Sequence, residues 1–533
     1  MPDDQTEIQE PIRRRRPLSA PDGRAATTRR RRGGGALLVM LALGTLLLAV
    51  DARGSDWKFG ISGSTSATAT DNATLAPKGQ EKGDLILQVT PAFTASRTGA
   101  RLKVNVSYAP SAIGYVDGTS NNRWVNTLAA SGSLEAVENF FFIDARASIS
   151  QQFLSPFGPT PTDLATATSN RSNVTSLGVS PYIRGHFGAT GITYFARNDS
   201  NWTDASGSGG GTGYSNFSVA RIDGAPAKVA WGLSYDRRNT SYQNQSGFVN
   251  ENYRARLTWT VDPQFRVFAT GGYQNNNFSA TQRSGAIYGG GFDWRPSERT
   301  TVAGSYEEQF YGPSWQGNVT HRTPLSFWSL VGSRALSTFP QQALLLPPGD
   351  TASTLNSVLL SRFPDPADRQ AEVQRLIQTL GLPAFLVAPQ SFYTQNVFVN
   401  ERVALTAGLI GLRNVVTLTA FTGYSENVPA TSNVAIQGAF ANATKIDQRG
   451  VSGNWSHRLT PLTSLNFLAS RTQSLASQGS STESTTDLFN LNLARPLGPK
   501  TNASLGLRYT IFDTNVGNDY RAAAVLATVG HTF

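Results

Sequence analysis

Segments in which apolar and polar side chains alternate recur along the chain from Trp57 onward. Residues 101–108, 141–152 and 253–262 each show this period of two. Because successive side chains of a β-strand point to opposite faces, each segment predicts a strand with one apolar and one polar face. Strands of soluble proteins are mostly about 5–6 residues long, whereas a tilted strand that crosses a membrane needs about 9–11. At ten to fifteen residues, the segments predict strands that cross a membrane.

The breaks between these segments alternate between short turns and longer polar stretches. The short breaks lie at 97–100, 135–138, 186–189, 223–226, 261–264, 295–299, 460–463 and 497–500, and the longer ones at 71–84, 154–170, 200–213 and about 426–445. Outer-membrane barrels have short periplasmic turns, longer extracellular loops and an even number of strands. The sequence therefore predicts an all-β protein: a transmembrane antiparallel β-barrel of about 22 strands (18–22) in the outer membrane of a Gram-negative bacterium.

Composition agrees with a barrel whose two faces meet different solvents. Charged residues make up 15% of the chain, compared with about 25% in soluble domains. Its 28 Phe, 16 Tyr and 9 Trp argue against disorder. The formal charge of +10 includes nine arginines and six carboxylates within residues 1–52, and no basic cluster follows Arg32. Nucleic acid is therefore not expected as a partner.

The N-terminus has the organisation of an export signal. Two runs of four arginines, at 13–16 and 29–32, precede an apolar stretch at 36–50. With small residues before the boundary, this predicts a signal peptide over residues 1–52, cleaved between Ala52 and Arg53, and a mature barrel over 53–533. The alternative, a membrane anchor, is disfavoured because fifteen apolar residues are fewer than the roughly 20 that a spanning helix needs.

The chain ends as an amphipathic strand with an aromatic residue at its tip. Apolar or small side chains at Val525, Ala527 and Val529 precede Phe533 at every second position. This pattern is typical of the C-terminal strand that the barrel-assembly machinery recognises, so Phe533 is predicted to be part of an assembly signal. The last strand is expected to pair with the first, near residues 58–70, because a closed barrel leaves no free edge.

One insertion departs from the strand pattern. Residues 337–391 are predicted to form a long extracellular loop with helices at about 351–361 and 365–381. In the second helix, one apolar face is formed by Val373, Leu376, Ile377 and Leu380. An apolar helical face must be buried. Two interpretations are open: the helices pack on each other above the barrel rim, or they fold toward the lumen as a lid.

Five charged residues fall on predicted polar faces of the strands: Asp144, Arg146, Arg254, Arg256 and Arg508. An arginine facing lipid at the membrane midplane costs about 2–4 kcal/mol, so the arginines are expected to face the lumen. There they could favour anionic solutes, or pair with lumen carboxylates such as Asp144 and Asp262 and brace the barrel. The sequence leaves these alternatives open.

Motifs for catalysis, cofactors or metals do not stand out. The chain has no cysteine, and its four histidines lack metal-ligand spacing. No enzymatic activity, cofactor or metal is therefore expected. An outer-membrane hydrolase is a distant alternative, because a catalytic set assembled across strands leaves little local motif; His321 and His457 would then be its candidate histidines.

Three stretches resemble the PEP-CTERM system-associated outer-membrane β-barrel proteins: residues 70–93, 99–110 and 363–383. The resemblance implies a porin-like barrel that serves exopolysaccharide export or exosortase-linked surface sorting. Expected partners are outer-membrane lipid, the barrel-assembly machinery and polysaccharide-export components. The family implies no catalytic residues. A plugged barrel that anchors a surface-polymer machine without solute flux is the alternative.

Overall fold

The computed structural model describes residues 57–206, 211–243, 247–279, 283–339, 392–428, 440, 443–477 and 481–533. The chain divides into a unit Met1–Ser55, which lies outside the described residues, and a unit Asp56–Phe533, which contains all of the described strands. The predicted signal peptide with its Ala52–Arg53 boundary lies outside the described residues. So do the two predicted loop helices with the apolar face of Val373, Leu376, Ile377 and Leu380.

Twenty-two strands of 10 to 16 residues occur within the described residues. Odd-numbered strands run toward the end of the barrel that carries the long connections, here called the outer end: β1 Trp57–Thr70, β3 Leu102–Tyr115, β5 Phe141–Phe153, β7 Thr193–Ala205, β9 Val229–Tyr242, β11 Phe265–Asn276, β13 Thr300–Gln309, β15 Ser326–Thr338, β17 Asn414–Asn427, β19 Ser464–Ser477 and β21 Thr501–Thr514. Even-numbered strands return: β2 Asp84–Thr98, β4 Arg123–Val137, β6 Arg171–His186, β8 Thr212–Asp223, β10 Phe248–Asp262, β12 Ser284–Ser297, β14 Gly312–Arg322, β16 Val397–Ile410, β18 Lys445–Arg458, β20 Glu483–Pro496 and β22 Tyr520–Thr532.

The sheet closes on itself. Each strand pairs antiparallel with the next along the chain, and β22 pairs with β1, with Thr532–Ala524 opposite Ser62–Thr70. The backbone N–H of Phe533 extends this seam by donating to the Ile61 carbonyl at 2.9 Å. The prediction of an antiparallel barrel with about 22 strands, closed between its last and first strands, is confirmed. The role of Phe533 as an assembly signal stays a prediction.

The connections follow the predicted alternation, with one difference. Each predicted short break coincides with a turn at the periplasmic end, opposite the outer end. The predicted loop at 200–213 is too long, because β7 continues to Ala205 and β8 begins at Thr212. The glycine- and serine-rich composition of residues 206–211 predicts a loop, and that prediction was extended to neighbouring residues such as Trp202 and Thr203. These two residues keep the period of two that is typical of a strand. The composition of the neighbouring stretch thus obscured the end of the strand.

The outward face of the barrel is apolar and has an aromatic girdle at each edge. Exposed tryptophans lie near the periplasmic ends of their strands at Trp231, Trp259, Trp294, Trp328 and Trp455, and exposed tyrosines lie further toward the outer end at Tyr253, Tyr273, Tyr288 and Tyr306. Two aromatic girdles that flank an apolar band are the surface that a bilayer requires of an outer-membrane barrel. In the described part of the chain, no helix combines the length and hydropathy needed to cross a membrane.

Candidate functional site

The five charged residues predicted to face the lumen lie on inward positions of their strands. Asp144 and Arg146 are on β5, Arg254 and Arg256 on β10, and Arg508 on β21. Their sequence neighbours point toward lipid: Tyr253, Leu257 and Leu507 are 49%, 60% and 53% exposed on the outer surface. Because strand side chains alternate between faces, the charged residues point into the barrel. The lumen is therefore the candidate functional site.

Charged groups are concentrated on the inward positions of β5–β13, here called the charged wall. The Arg254 guanidinium donates to the Asp236 carboxylate, and to Glu307 at 3.2 Å. Arg197 bridges Asp144 at 2.9 Å and Asp199 at 2.7 Å. These contacts join β9, β10 and β13 in one case and β5 and β7 in the other. For Arg254 and Asp144, the bracing interpretation of the sequence is therefore the one that the geometry favours.

Two of the predicted lumen arginines have no ion pair among the described residues. Arg146 is exposed on β5. The Arg256 guanidinium lies over the Phe268 ring, 3.5 Å from its centroid, within the range of a cation–π contact. Their charge stays available to a solute in the lumen.

The opposite side of the lumen, formed by inward positions of β16–β22, is here called the neutral wall. Among its described residues, the inward charges are Arg402, Arg458 and Arg508, with no inward carboxylate. Hydroxyl and amide side chains are buried along it at Thr417, Thr419, Ser452, Asn454, Ser456 and Asn466. Neither side-chain polar atom of Asn454 has a hydrogen-bond partner among the described residues. Most of the inward side chains of this wall are uncharged donors and acceptors, and its few charges are arginines.

Residues 154–170, here called the inner loop, leave the end of β5 and turn into the lumen. The Arg508 guanidinium, halfway along β21, donates to the Asp163 carboxylate and, at 3.5 Å, to the Thr166 hydroxyl. Arg123 at the start of β4 donates to the carbonyls of Leu164 at 2.7 Å and Thr166 at 3.1 Å. The loop is thus held by arginines from two separated parts of the barrel.

The electrostatics of Asp163 explain why the arginine contact is stable. Burial raises the pKa of this carboxyl, but the Arg508 charge and the two hydrogen bonds from Thr166 outweigh that effect. The net result is a pKa below the ordinary value of 3.8. Asp163 is therefore ionised at neutral pH, and it holds the inner loop by a charge-assisted hydrogen bond, the stronger class.

The inner loop reaches the opposite wall of the barrel through an aromatic contact. Phe157 packs against an apolar cluster that contains Phe392, Phe398 of β16 and Ile446 of β18. In a ring of twenty-two strands, β16 is eleven strands from β5 in either direction, which is half the circumference. The loop therefore bridges opposite walls of the lumen near its outer end.

The segment that enters β16 completes the crossing. Phe392 forms a β-bridge with Phe153, and the Tyr393 backbone N–H donates to the Phe153 carbonyl at 2.9 Å. Tyr393 also packs against Phe339, with ring centroids 4.8 Å apart, and its hydroxyl donates to the Gly211 carbonyl at 2.9 Å. Residues 392–399 are all buried. The outer end of the lumen is thus narrowed by two segments that meet inside it.

Sequence reasoning missed this constriction. It treated 154–170 as an ordinary extracellular loop and sought a lid in the insertion at 337–391, of which residues 340–391 lie outside the described residues. The available signal was the pair of large apolar residues, Phe157 and Leu164, in an otherwise polar loop. Apolar side chains of that size need a packing partner, but sequence does not say which wall supplies it.

The histidines lie at the periplasmic ends of their strands and not in the lumen constriction. His321 contacts the Thr300 hydroxyl and His457 the Asn414 side-chain carbonyl, both at 2.8 Å. Neither contact joins a histidine to a serine. Across the described ranges, no group of three potential metal-ligating residues is found. The contacts of His321 and His457 join neighbouring strands.

Comparison with known proteins gives similarity in fold and none in sequence. No protein-family model matches the chain. No characterised protein matches it at a significant level.

Among solved structures, the siderophore receptor PirA from Acinetobacter baumannii is similar with a TM-score of 0.44 and 7% identity, over 90% of this chain and 81% of that one. OpdO from Pseudomonas aeruginosa has a TM-score of 0.33 and 10% identity, over 90% and 97%. The outer membrane channel DcaP of A. baumannii has a TM-score of 0.30 and 11% identity, over 91% and 99%.

These TM-scores all lie below 0.5, so the assignment to a membrane rests on the barrel of this chain itself. A closed antiparallel barrel with a lipid-facing apolar band and two aromatic girdles satisfies every requirement for spanning the outer membrane. The chain is a porin-like β-barrel of the Gram-negative outer membrane.

Proposed function

We propose that this protein is a constricted outer-membrane channel for polar solutes. The single observation that carries the proposal is the inner loop, which bridges the lumen from β5 toward β16 and β18 and is held there by Arg508. A loop that is folded inward and attached by a few polar contacts narrows a pore without filling it.

The wall below the constriction supports the proposal. Inward positions of the mid-barrel carry arginines, carboxylates, hydroxyls and amides, including unpaired Arg146 and Arg256. Charged groups in a dry interior would carry a desolvation penalty of several kcal/mol each. A lumen that contains water avoids that penalty, and a water-filled lumen can pass solutes.

The test is single-channel conductance in planar bilayers. Arg508→Ala and Asp163→Asn each remove the ionic contact that holds the inner loop, so conductance is expected to rise severalfold in both. Arg471→Ala is the matched control, because Arg471 pairs with Asp487 at 3.5 Å on the outward face. An unchanged conductance in both lumen variants would contradict the proposal.

A plugged barrel is the second candidate, and a specific observation favours it. Two buried apolar clusters fill space at the outer end: one around Phe392 and Phe398 takes in Phe157 of the inner loop, and the other joins Tyr242 and Phe248 to Leu336, Val397 and Val399. If the wild type and both lumen variants conduct no ions, the structural and assembly role replaces the channel.

For the cargo, we propose a surface polysaccharide, in association with a PEP-CTERM or exosortase system and with polysaccharide-export components as partners. The support is the resemblance of residues 70–93, 99–110 and 363–383, together with the hydroxyl and amide groups of the neutral wall. Deleting the gene is expected to lower secreted polysaccharide, and the wild-type gene should restore it. Normal secretion in the deletion strain would contradict this cargo while leaving the channel standing.

A further inference from the structure

A pocket of about 370 Å³ opens into the lumen from the charged wall, in the mid-barrel. Inward side chains of β8, β10, β11 and β13 line it, among them Arg221, Arg254, Arg256, Phe268, Thr270 and Glu307. The volume lies within the range of about 300–1,000 Å³ that is typical of small-molecule sites. The pocket is large enough for a solute of monosaccharide size.

The pocket is lined by more arginines than carboxylates: Arg221, Arg254, Arg256 and Arg334 compared with Asp223 and Glu307. Arg254 is paired with both Asp236 and Glu307, a triad with a formal charge of −1, and Arg334 is paired with Glu401 at 3.5 Å. Arg221 and Arg256 have no carboxylate within ion-pair distance among the described residues. The remaining lining carboxylate is Asp223. Two unpaired guanidinium groups therefore face one unpaired carboxylate.

The geometry also orients one of these cations. The central carbon of the Arg256 guanidinium lies over the Phe268 ring, 3.5 Å from its centroid. The cation–π contact restricts the guanidinium, and Arg256 has no ion pair among the described residues, so its N–H groups can bind a carboxylate with two parallel hydrogen bonds. Arginine held in this way loses less conformational entropy when it binds.

The uncharged residues that line the pocket indicate which other chemical groups the ligand has. Hydroxyl groups of Ser234, Thr270, Ser305 and Ser314 and the amide of Gln316 surround the cations. These side chains both donate and accept hydrogen bonds. They therefore suit a ligand that is rich in hydroxyl groups. The paired Arg254 cluster forms one side of the pocket.

We propose that this pocket binds a hydroxylated carboxylate of monosaccharide size, that is, a sugar acid, with Arg256 and Arg221 holding the carboxylate. The inference rests on the proposed channel in one respect: the solute reaches the pocket through the lumen. It goes further by naming the solute class that the charged wall selects.

The experiment is isothermal titration of the purified full-length barrel in detergent, at fixed ionic strength, with sodium D-glucuronate as the probe. D-glucose, which lacks the carboxylate, and sodium acetate, which lacks the hydroxyl groups, are the comparison ligands. Glucuronate is expected to bind, and glucose and acetate to bind at least tenfold more weakly. Arg256→Gln and Arg221→Gln are each expected to weaken glucuronate binding by roughly tenfold or more, because hydrogen bonds between charged groups are the strong class.

Arg146→Gln is the matched control, because Arg146 is also an unpaired lumen arginine but does not line the pocket. Its affinity for glucuronate is expected to equal that of the wild type. Absence of glucuronate binding to the folded wild type, or an equal loss in Arg146→Gln and Arg256→Gln, would overturn the proposal. If the barrel binds glucuronate but conducts no ions, the proposed channel is rejected and the proposed binding site stands. Failure of the channel and failure of the site can therefore be told apart.

Discussion

The two sides of the lumen differ in how they use charge. On the charged wall, arginines and carboxylates pair between strands that lie one to three positions apart, as in the Arg254 cluster. On the neutral wall, hydroxyls and amides predominate, and one of its three inward arginines, Arg508, is used to hold the inner loop. The comparison teaches that the charged wall supplies bracing and selectivity, whereas the neutral wall supplies Arg508, which holds the constriction together with Arg123 of β4.

The largest effect is expected from breaking the contact between the inner loop and the neutral wall. Phe157→Ala removes the side chain that packs on the cluster of Phe392, Phe398 and Ile446, so single-channel conductance should rise severalfold. Leu164→Ala truncates an apolar residue of the same loop that packs on β2–β4, the near side. Its conductance should change less. A larger change in Leu164→Ala would show that the constriction depends on the near side.

The next effect concerns stability of the charged wall. Arg254→Ala leaves Asp236 and Glu307 without their shared cation, in side chains that are 19% and 23% exposed. Discounted for solvent in the lumen, the expected loss is about 1–3 kcal/mol in the free energy of unfolding, measured by urea titration in lipid vesicles. On the neutral wall, Asn466→Ala should cost less, about 0.5 kcal/mol or below. Equal losses of unfolding free energy in Arg254→Ala and Asn466→Ala would contradict the conclusion that only the charged wall is braced by its ion pairs.

A smaller effect is expected in ion selectivity. Because most charges of the charged wall are paired, the wild-type channel should prefer anions only weakly. The double variant Arg221→Gln, Arg256→Gln should reduce this preference, whereas Arg471→Gln on the outward face should not. Reversal potentials in a salt gradient measure the change. A cation-selective wild type would contradict the assigned role of the unpaired arginines.

The last effect, expected from acid, is confined to low pH. The pKa of Asp163 is lowered in the folded barrel, so the stability that its contact with Arg508 supplies is complete above the ordinary value of 3.8 and is lost as the pH falls through the lowered pKa. Conductance should rise below about pH 3.8, and Asp163→Asn should remove that step because its contact is already neutral. If conductance of Asp163→Asn still rises at low pH, the rise is caused by another titratable group.

Much of the architecture could be predicted from the sequence, because side-chain alternation reports directly on strands and on which face each residue occupies. The strand number, the seam between β22 and β1 and the tight turns follow from the pattern. The end of β7 was misplaced, since the glycine- and serine-rich residues that follow Thr203 mask it. The partner of each lumen arginine could not be predicted, because alternation assigns a face and says nothing about distances across the lumen.

Periodicity in the sequence thus determined that this protein is a closed membrane barrel with charged residues directed inward, since each inward position is set by its neighbours along one strand. Only the tertiary structure decided that the inner loop narrows the lumen and that Arg508 holds it. Arg508 and Asp163 are 345 residues apart, and they meet because barrel closure brings β21 near the connection that follows β5. Contacts of that kind depend on the closed ring and the path of the loop, which no local pattern encodes.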